Sequence, residues 1–349
     1  MKNNKIPKHY IKRFMAMAVT GSYLFTMTLA TGCGLNNKST ESETVPEHVL
    51  VYAENQADDY PATLGAYRLA QLVEERTNGR IKIVVRSNGE MGDETSIVEQ
   101  IQFGGVDIAR VSLSPLAEYI PELNVLQMPY LYSNQETMWK ALDGEIGQRF
   151  KDAIQQKGNG LRVLSWYDAG SRNFYASRPI QTLADLKGMN IRVQESELMV
   201  EMIRILGANP VKMIYSDVYQ GLQTGKIDAA ENNWPSYQYA KHSEVAPFCL
   251  VDEHTRIPEA QIISEGAWNQ LGEEDQAIVS QCAVESANYE KELWRQSEED
   301  ARDDAIKKGA TLTYISKKDL QEFQTAVQPL YDRYCADYMD IIQEIRSMN

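Results

Sequence analysis

The 349-residue sequence is poor in histidine and cysteine, with four of each. His9 lies in an N-terminal leader, while His48, His242 and His254 stand too far from one another and from any cysteine to suggest a metal site. Cys249, Cys282 and Cys335 are equally scattered, so buried thiols are expected rather than a disulfide framework. No G-x-S-x-G elbow, G-x-x-x-x-G-K-[ST] loop or G-x-G-x-x-G turn occurs. An activated serine, a phosphate cradle and a dinucleotide cofactor therefore all lack their usual signatures, and no cofactor or metal is expected. Basic charge is scarce as well: Lys plus Arg total 35 against 49 Asp plus Glu, a net of −14. No basic run follows residue 13, which argues against a nucleic-acid partner.

The N-terminus has a different texture. Lys2, Lys5, Lys8, Lys12 and Arg13 precede the uncharged run "FMAMAVTGSYLFTMTLATG" over 14–32. This reads as a secretory leader spanning residues 1–32. Ala30-Thr31-Gly32-Cys33 resembles a bacterial lipobox, with alanine where that pattern most often has leucine, and implies a lipid on Cys33. An ordinary signal or an uncleaved anchor is the alternative, and either puts the folded part outside the cytoplasm. Loss of the leader removes five positive charges and leaves 30 basic residues against 49 acids. Residues 33–47 are polar and aperiodic, as a flexible tether would be.

From residue 48 the chain alternates strand and helix patterns, which predicts an α/β protein with parallel, βαβ-type sheets. Helices are expected over 62–78, 93–103, 195–206 and 272–308, the last long enough to lie along two lobes, with one more amphipathic helix at the C-terminus. "IQFGGVDIA" (101–109) and "LQTGKIDAA" (222–230) form a weak repeat: helix end, glycine stop, strand entry. The repeat implies two similarly wound lobes. It also makes Arg110-Val111-Ser112 and Glu231-Asn232-Asn233 counterparts at strand ends, where ligands of open α/β sheets gather.

Arginine is the informative residue type. In "DLKGMNIRVQESE" (185–197), Met189, Ile191 and Val193 alternate with Asn190, Arg192 and Gln194, so a core-like strand carries a guanidinium at its centre. Arg110 and Arg172 lie in similarly apolar or small-residue surroundings. A buried guanidinium costs several kcal/mol unless an anion completes it, and its planar fork suits a carboxylate. Aromatic rings mixed with polar groups in "SWYDAGSRNFY" and "ENNWPSYQY" fit a polyhydroxylated acid. Asn55, Ser112, Asp168, Asn232 and Asn233 are candidate polar partners, and Trp234 a candidate wall. A secreted enzyme for acidic sugars, using Asp168 and Glu231 as acid and base, is the competing class.

"RPIQTLADLKGMNIRV", "LGANPVKMIYSDVYQGLQTGKIDAAEN" and "ELNVLQMPYLY" closely resemble the DctP-type substrate-binding proteins of tripartite ATP-independent periplasmic (TRAP) transporters. The resemblance implies a two-lobed periplasmic-binding-protein-like fold with a hinge, a central cleft and a long helix spanning both lobes. Lobe I would comprise 48–169 plus 258–297, and lobe II 170–257 plus 298–349. It further implies that Arg192 forms a salt bridge with a ligand carboxylate, and that Arg172, Asn232, Tyr215 and Asn55 are binding residues. Asp217 stands where the family motif usually has glutamate. Ser112 stands where sialic-acid binders tend to have glutamate, with Arg110 beside it as a further cationic contact. The implied partners are a small organic acid, TRAP permease membrane subunits and, through Cys33, the membrane, with the protein acting as a monomer. A sugar acid (uronate or aldonate) is the expected ligand. A C4-dicarboxylate is the alternative, and a sensor partner a more remote one.

Overall fold

The structure, a computed structural model, describes residues 45–348. The leader, Cys33 and most of the tether lie outside the described residues. Among the described residues, eleven strands form two sheets. The first contains β1 (His48–Ala53), β2 (Ile81–Arg86), β3 (Ile108–Ser112), β4 (Leu161–Tyr167) and β10 (Glu259–Ser264). The second contains β5 (Arg172–Ala176), β6 (Asn190–Val193), β7 (Asn209–Lys212), β8 (Ala229–Asn232), β9 (Phe248–Thr255) and β11 (Thr311–Tyr314). Their orders are β2-β1-β3-β10-β4 and β11-β9-β5-β8-β6-β7.

The expectation of parallel, βαβ-type sheets holds for part of each sheet. β1 runs parallel to β2 and β3, and β6 to β7 and β8. However, β10 is antiparallel to β3 and β4, and β5 is antiparallel to β8 and β9. The cause is the chain path. Residues 168–171 carry β4 directly into β5, and residues 256–258 carry β9 directly into β10. A strand that enters a sheet straight from the other lobe, without a crossover helix, is free to run against its neighbours.

The repeat has a structural basis. Gly104 and Gly225 each end a helix in the left-handed region, at φ 76° and 71°, which favours glycine. The aspartate that follows makes the same bond in both copies. Asp107 Oδ2 accepts from Val51 N on β1 at 2.8 Å, and Asp228 Oδ2 accepts from Asn190 N on β6 at 2.8 Å. Each carboxylate ties the strand it begins to a parallel neighbour. Three residues later stand Arg110 in β3 and Glu231 in β8, buried charges of opposite sign at matching places.

Helix Glu273–Lys307 has 35 residues and is about 52 Å long at 1.5 Å per residue. Val279, Cys282 and Ala283 pack with Leu69 and Val73 against the first sheet, while Ala301 and Ala305 join the core of the second. Between them, Ala287 and Trp294 meet Tyr60 and Tyr167 at the waist. One helix thus backs both lobes. The single C-terminal helix expected from the sequence is two, Lys317–Tyr334 and Met339–Ser347. The chain turns at Ala336–Tyr338, which lets Ile341, Ile342 and Ile345 face the core. Cys249, Cys282 and Cys335 are buried free thiols. Among the described residues, no helix is long and apolar enough to cross a membrane.

Candidate functional site

A cleft between the sheets encloses about 580 Å³ of space between protein atoms, its open mouth included. The first lobe contributes Asn55, Glu94, Thr95, Arg110 and Glu259 to its walls; the second contributes Arg172, Arg192, Gln194, Tyr215, Asn232 and Asn233. Bonds already cross it. Thr95 Oγ1 donates to Glu195 at 2.9 Å, Gln194 Nε2 donates to Ser112 Oγ at 3.3 Å, and Glu197 N donates to Glu118 at 2.8 Å. The lobes are therefore drawn together over the cleft.

The three arginines differ sharply in how they are satisfied. Arg110 is 1% exposed and already saturated with acids. Its Nε and Nη2 grip Glu54, and Nη1 donates to Glu94 at 2.7 Å and to Glu259 at 3.1 Å. Nη2 also reaches Asn55 Oδ1. Arg110 is thus no free cationic contact: three internal carboxylates complete it.

Arg172, 4% exposed, is paired as well. Its Nη2 donates to Glu231 Oε1 at 2.9 Å and to the Glu231 carbonyl at 2.8 Å, while Nε holds Oε2. Nη1 donates to Asn232 Oδ1 at 2.8 Å. Burial works against the Glu231 carboxylate, but Arg172 and His254 pull its pKa down to about 2. Burial likewise opposes a charged His254, yet Asp252 and Glu231 hold it up at about 9. These groups form one closed ionic knot beneath the cleft floor.

Arg192 stands apart. It lies on β6 between β7 and β8, 3% exposed, with Ile191 and Val193 packed into the core on the other face. Its Nε donates to the Met213 carbonyl at 2.9 Å. Among the described residues, no carboxylate oxygen comes within 4.0 Å of its guanidinium. Burial depresses its pKa, and the more distant Glu231 offsets this only in part. A desolvated cation without a counter-ion, lining a cleft, is chemically prepared to take an anion.

The other expected residues divide. Tyr215 presents its ring at the cleft with its hydroxyl anchored to the Ser236 carbonyl at 2.8 Å. Asn232 accepts from Arg172 and from Asn233 N through its oxygen, which leaves its amide nitrogen to donate. Asn233 lines the cleft but also caps helix Trp234–Tyr239, accepting from Ser236 N at 2.8 Å. Ser112, Asp168 and Trp234 do not line the cleft. Ser112 caps helix Leu113–Tyr119 and bridges to Gln194. Trp234 packs in the second lobe's core. Asp168 follows β4 at the crossing point, where Gln135 and Trp139 donate to it at 2.6 and 2.7 Å. With Asp168 behind the cleft and Glu231 sealed under Arg172, the acid–base pair of the enzyme reading is not assembled. Sequence reasoning missed Glu54, Glu94 and Glu259. The available signal was that a buried arginine in β3 demands acids, and strand ends such as "AEN" and "PEA" offer them.

The family model "Bacterial extracellular solute-binding protein, family 7" (DctP) matches residues 52–337. A solute-binding protein of Chromohalobacter salexigens is 34% identical over 81% of this chain and 83% of its own length. A Bradyrhizobium TRAP periplasmic solute-binding protein, solved in complex with D-galacturonate, superposes with a TM-score of 0.82 at 35% identity, covering 85% of this chain and 99% of that one. Another from Pseudomonas putida, with bound D-glucuronate, gives 0.83 at 32% identity, covering 85% and 96%. This chain belongs to the DctP family of bacterial extracellular solute-binding proteins.

Proposed function

We propose that this protein is the extracytoplasmic binding subunit of a TRAP transporter. It captures a monoanionic sugar acid, a uronate or aldonate, between its lobes and delivers it to the membrane permease subunits. The observation that carries the ligand class is the inequality of the arginines. Counting guanidiniums suggests room for two or three carboxylates, but Arg110 and Arg172 are neutralised from within, so of the three cleft arginines Arg192 alone lacks an acid partner among the described residues. The facing wall carries Asp93, Glu94 and Glu259. A second ligand carboxylate at that end would meet carboxylates, which opposes a C4-dicarboxylate. Hydroxyl groups suit that wall, since carboxylates accept from them and Thr95 supplies a hydroxyl, while Asn232 and Gln194 supply amides from the Arg192 side. The Tyr215 ring supplies a flat side for a sugar.

Binding then follows hinge logic. Residues 168–171 and 256–258 cross between lobes, so opening breaks the Thr95–Glu195 and Gln194–Ser112 bonds and exposes Arg192. A ligand contacting both lobes shifts the population towards the closed form. The same reading holds the chain at the membrane as a monomer through a lipid on Cys33.

Thermal melts with D-glucuronate, D-galacturonate, D-galactonate, succinate and L-malate test the assignment. A ligand at 100 times its Kd adds about 2.7 kcal/mol to stability. Sugar acids should raise the melting temperature and dicarboxylates should not. Stabilisation by succinate or malate alone would overturn the ligand class.

A further inference from the structure

The acids around Arg110 outnumber what one guanidinium can neutralise. Glu54, Glu94 and Glu259 all lie within salt-bridge distance of it. Among the described residues, no other cation comes within 4.0 Å of these carboxylates. Three ionised acids would leave two uncompensated negative charges in a largely buried pocket, a costly arrangement.

The three are not equally satisfied. Glu54 is completely buried and best served: it accepts from Arg110 Nε and Nη2 and from Gln56 N. Glu94 Oε1 accepts from Arg110 and, at 3.3 Å, from Ser112 N. Glu259 has the poorest set. Its Oε1 shares Arg110 Nη1 with Glu94, and its Oε2 is shut off from solvent with no hydrogen-bond partner. Its side chain is 12% exposed and lines the cleft.

We propose that Glu259 carries a proton when the cleft is occupied, so that capture of the ligand anion and retention of that proton are coupled. The inference rests on the anion-binding reading above. Its physical basis is repulsion: ionised Glu259 would add a negative charge to the wall facing the ligand.

The groups that face Glu259 decide where it titrates. Arg110 on β3 and Arg172 on β5 favour its ionised form. Glu54, Glu94 on helix Glu94–Gln102, Tyr60 and Glu290 of the long helix face it with acidic or ionisable groups. Asp93 and Glu195 line the same cleft. Burial is the largest influence, and with the neighbouring acids it outweighs Arg110, pushing Glu259 up to about 8. Glu94, also raised by burial first, is the partner that shares the strain, with Arg192 nearby on the opposite lobe.

The sign follows. Anion binding favours the protonated form, so affinity is constant well below pH 8 and falls as Glu259 ionises in the free protein. For one linked proton the Kd rises about tenfold between pH 7 and pH 9.

Calorimetry with D-glucuronate and D-galacturonate from pH 6 to pH 9, in buffers of differing ionisation enthalpy, tests this on the intact protein. The expected results are that rise and uptake of between half and one proton per ligand near pH 8.5. Glu259→Gln, which cannot ionise, should lose both the rise and the proton uptake, whatever its affinity at pH 7. A flat wild-type profile without proton uptake overturns the coupling, as does a variant that keeps the wild-type slope. Absence of binding by every sugar acid at pH 6 would instead overturn the functional reading. The proton is then read in ligand-free protein by carbon-13 NMR of the Glu carboxyls: a Glu259 that titrates in the ordinary carboxylate range refutes the proposal, and one near pH 8 sustains its premise.

Discussion

Replacing Arg192 with methionine separates a ligand-binding cation from a structural one. This guanidinium is buried, bonds the Met213 carbonyl, and has no carboxylate within salt-bridge distance among the described residues. Methionine keeps much of the volume and strands no acid. It also removes a desolvated charge, so the melting temperature of ligand-free Arg192→Met should stay level or rise. Binding should collapse: truncating one partner of a buried charge pair costs about 2–5 kcal/mol, or about 30- to 5,000-fold in Kd. Arg110→Met is the matched control. It leaves Glu54, Glu94 and Glu259 without their cation, and loss of one partner from a buried ionic group costs about 3–5 kcal/mol of fold stability. Calorimetry with D-glucuronate and urea unfolding of stripped protein measure the two effects. If Arg192→Met lowers ligand-free stability as much as Arg110→Met, or binds within threefold of wild type, the assignment of Arg192 as the uncompensated member of the three cleft arginines is wrong.

Other regions give independent tests. Glu290 is fully buried on the long helix, accepting from Asp168 N at 3.0 Å, with its second oxygen unpartnered; burial, then Asp168, raise its pKa well above the usual 4.5. The folded state therefore keeps a proton that the unfolded chain has lost, and stability falls as pH rises above 4.5, by up to about 1.4 kcal/mol per unit. Glu290→Gln should remove that slope and be more stable than wild type at pH 7 to 8; a pH-independent difference in urea midpoints would contradict this. Burial pushes the Cys249 and Cys335 thiols up to about 12 and raises Cys282 as well. Iodoacetamide should leave all three unmodified in native protein and label them in urea, as read by peptide mass spectrometry. A Cβ at Gly147 would lie 1.8 Å from the Leu142 carbonyl oxygen, so Gly147→Ala must shift helix Glu145–Lys157 against its neighbour. The expected loss is about 1–3 kcal/mol by urea unfolding.

The limits of reading this site from sequence are visible in its arginines. Alternation around Arg192 correctly placed it on a strand whose neighbours Ile191 and Val193 are buried, because period-two patterning is a local property. The repeat was readable for the same reason: its glycine stops and strand-capping aspartates act within a few residues of their own position. What local pattern could not reveal was which arginine lacks an acid. Arg110 draws Glu54 from 56 positions away and Glu259 from 149, and Arg172 draws Glu231 from 59. In sequence the three guanidiniums look alike; their difference exists only after the strands are paired. The mixed sheets were hidden similarly, since antiparallel β5 and β10 result from how 168–171 and 256–258 cross between lobes.

That difference also explains how one cleft can hold three buried arginines without becoming a general trap for polyanions. Three uncompensated guanidiniums would repel one another and favour any multiply charged ligand. Pairing two of them internally turns them into fixed supports. Arg172 sets the Asn232 oxygen so that its amide nitrogen is left to donate, and Arg110 holds Asn55 at the opposite wall. In the proposed function the net attraction is then confined to Arg192, while the surplus acids near Arg110 face whatever lies at the far end. A ligand with one carboxylate and a row of hydroxyls meets attraction at one end and hydrogen-bond acceptors at the other. A ligand charged at both ends meets attraction and repulsion together. On the proposed reading, selectivity arises from which cations are neutralised before the ligand arrives.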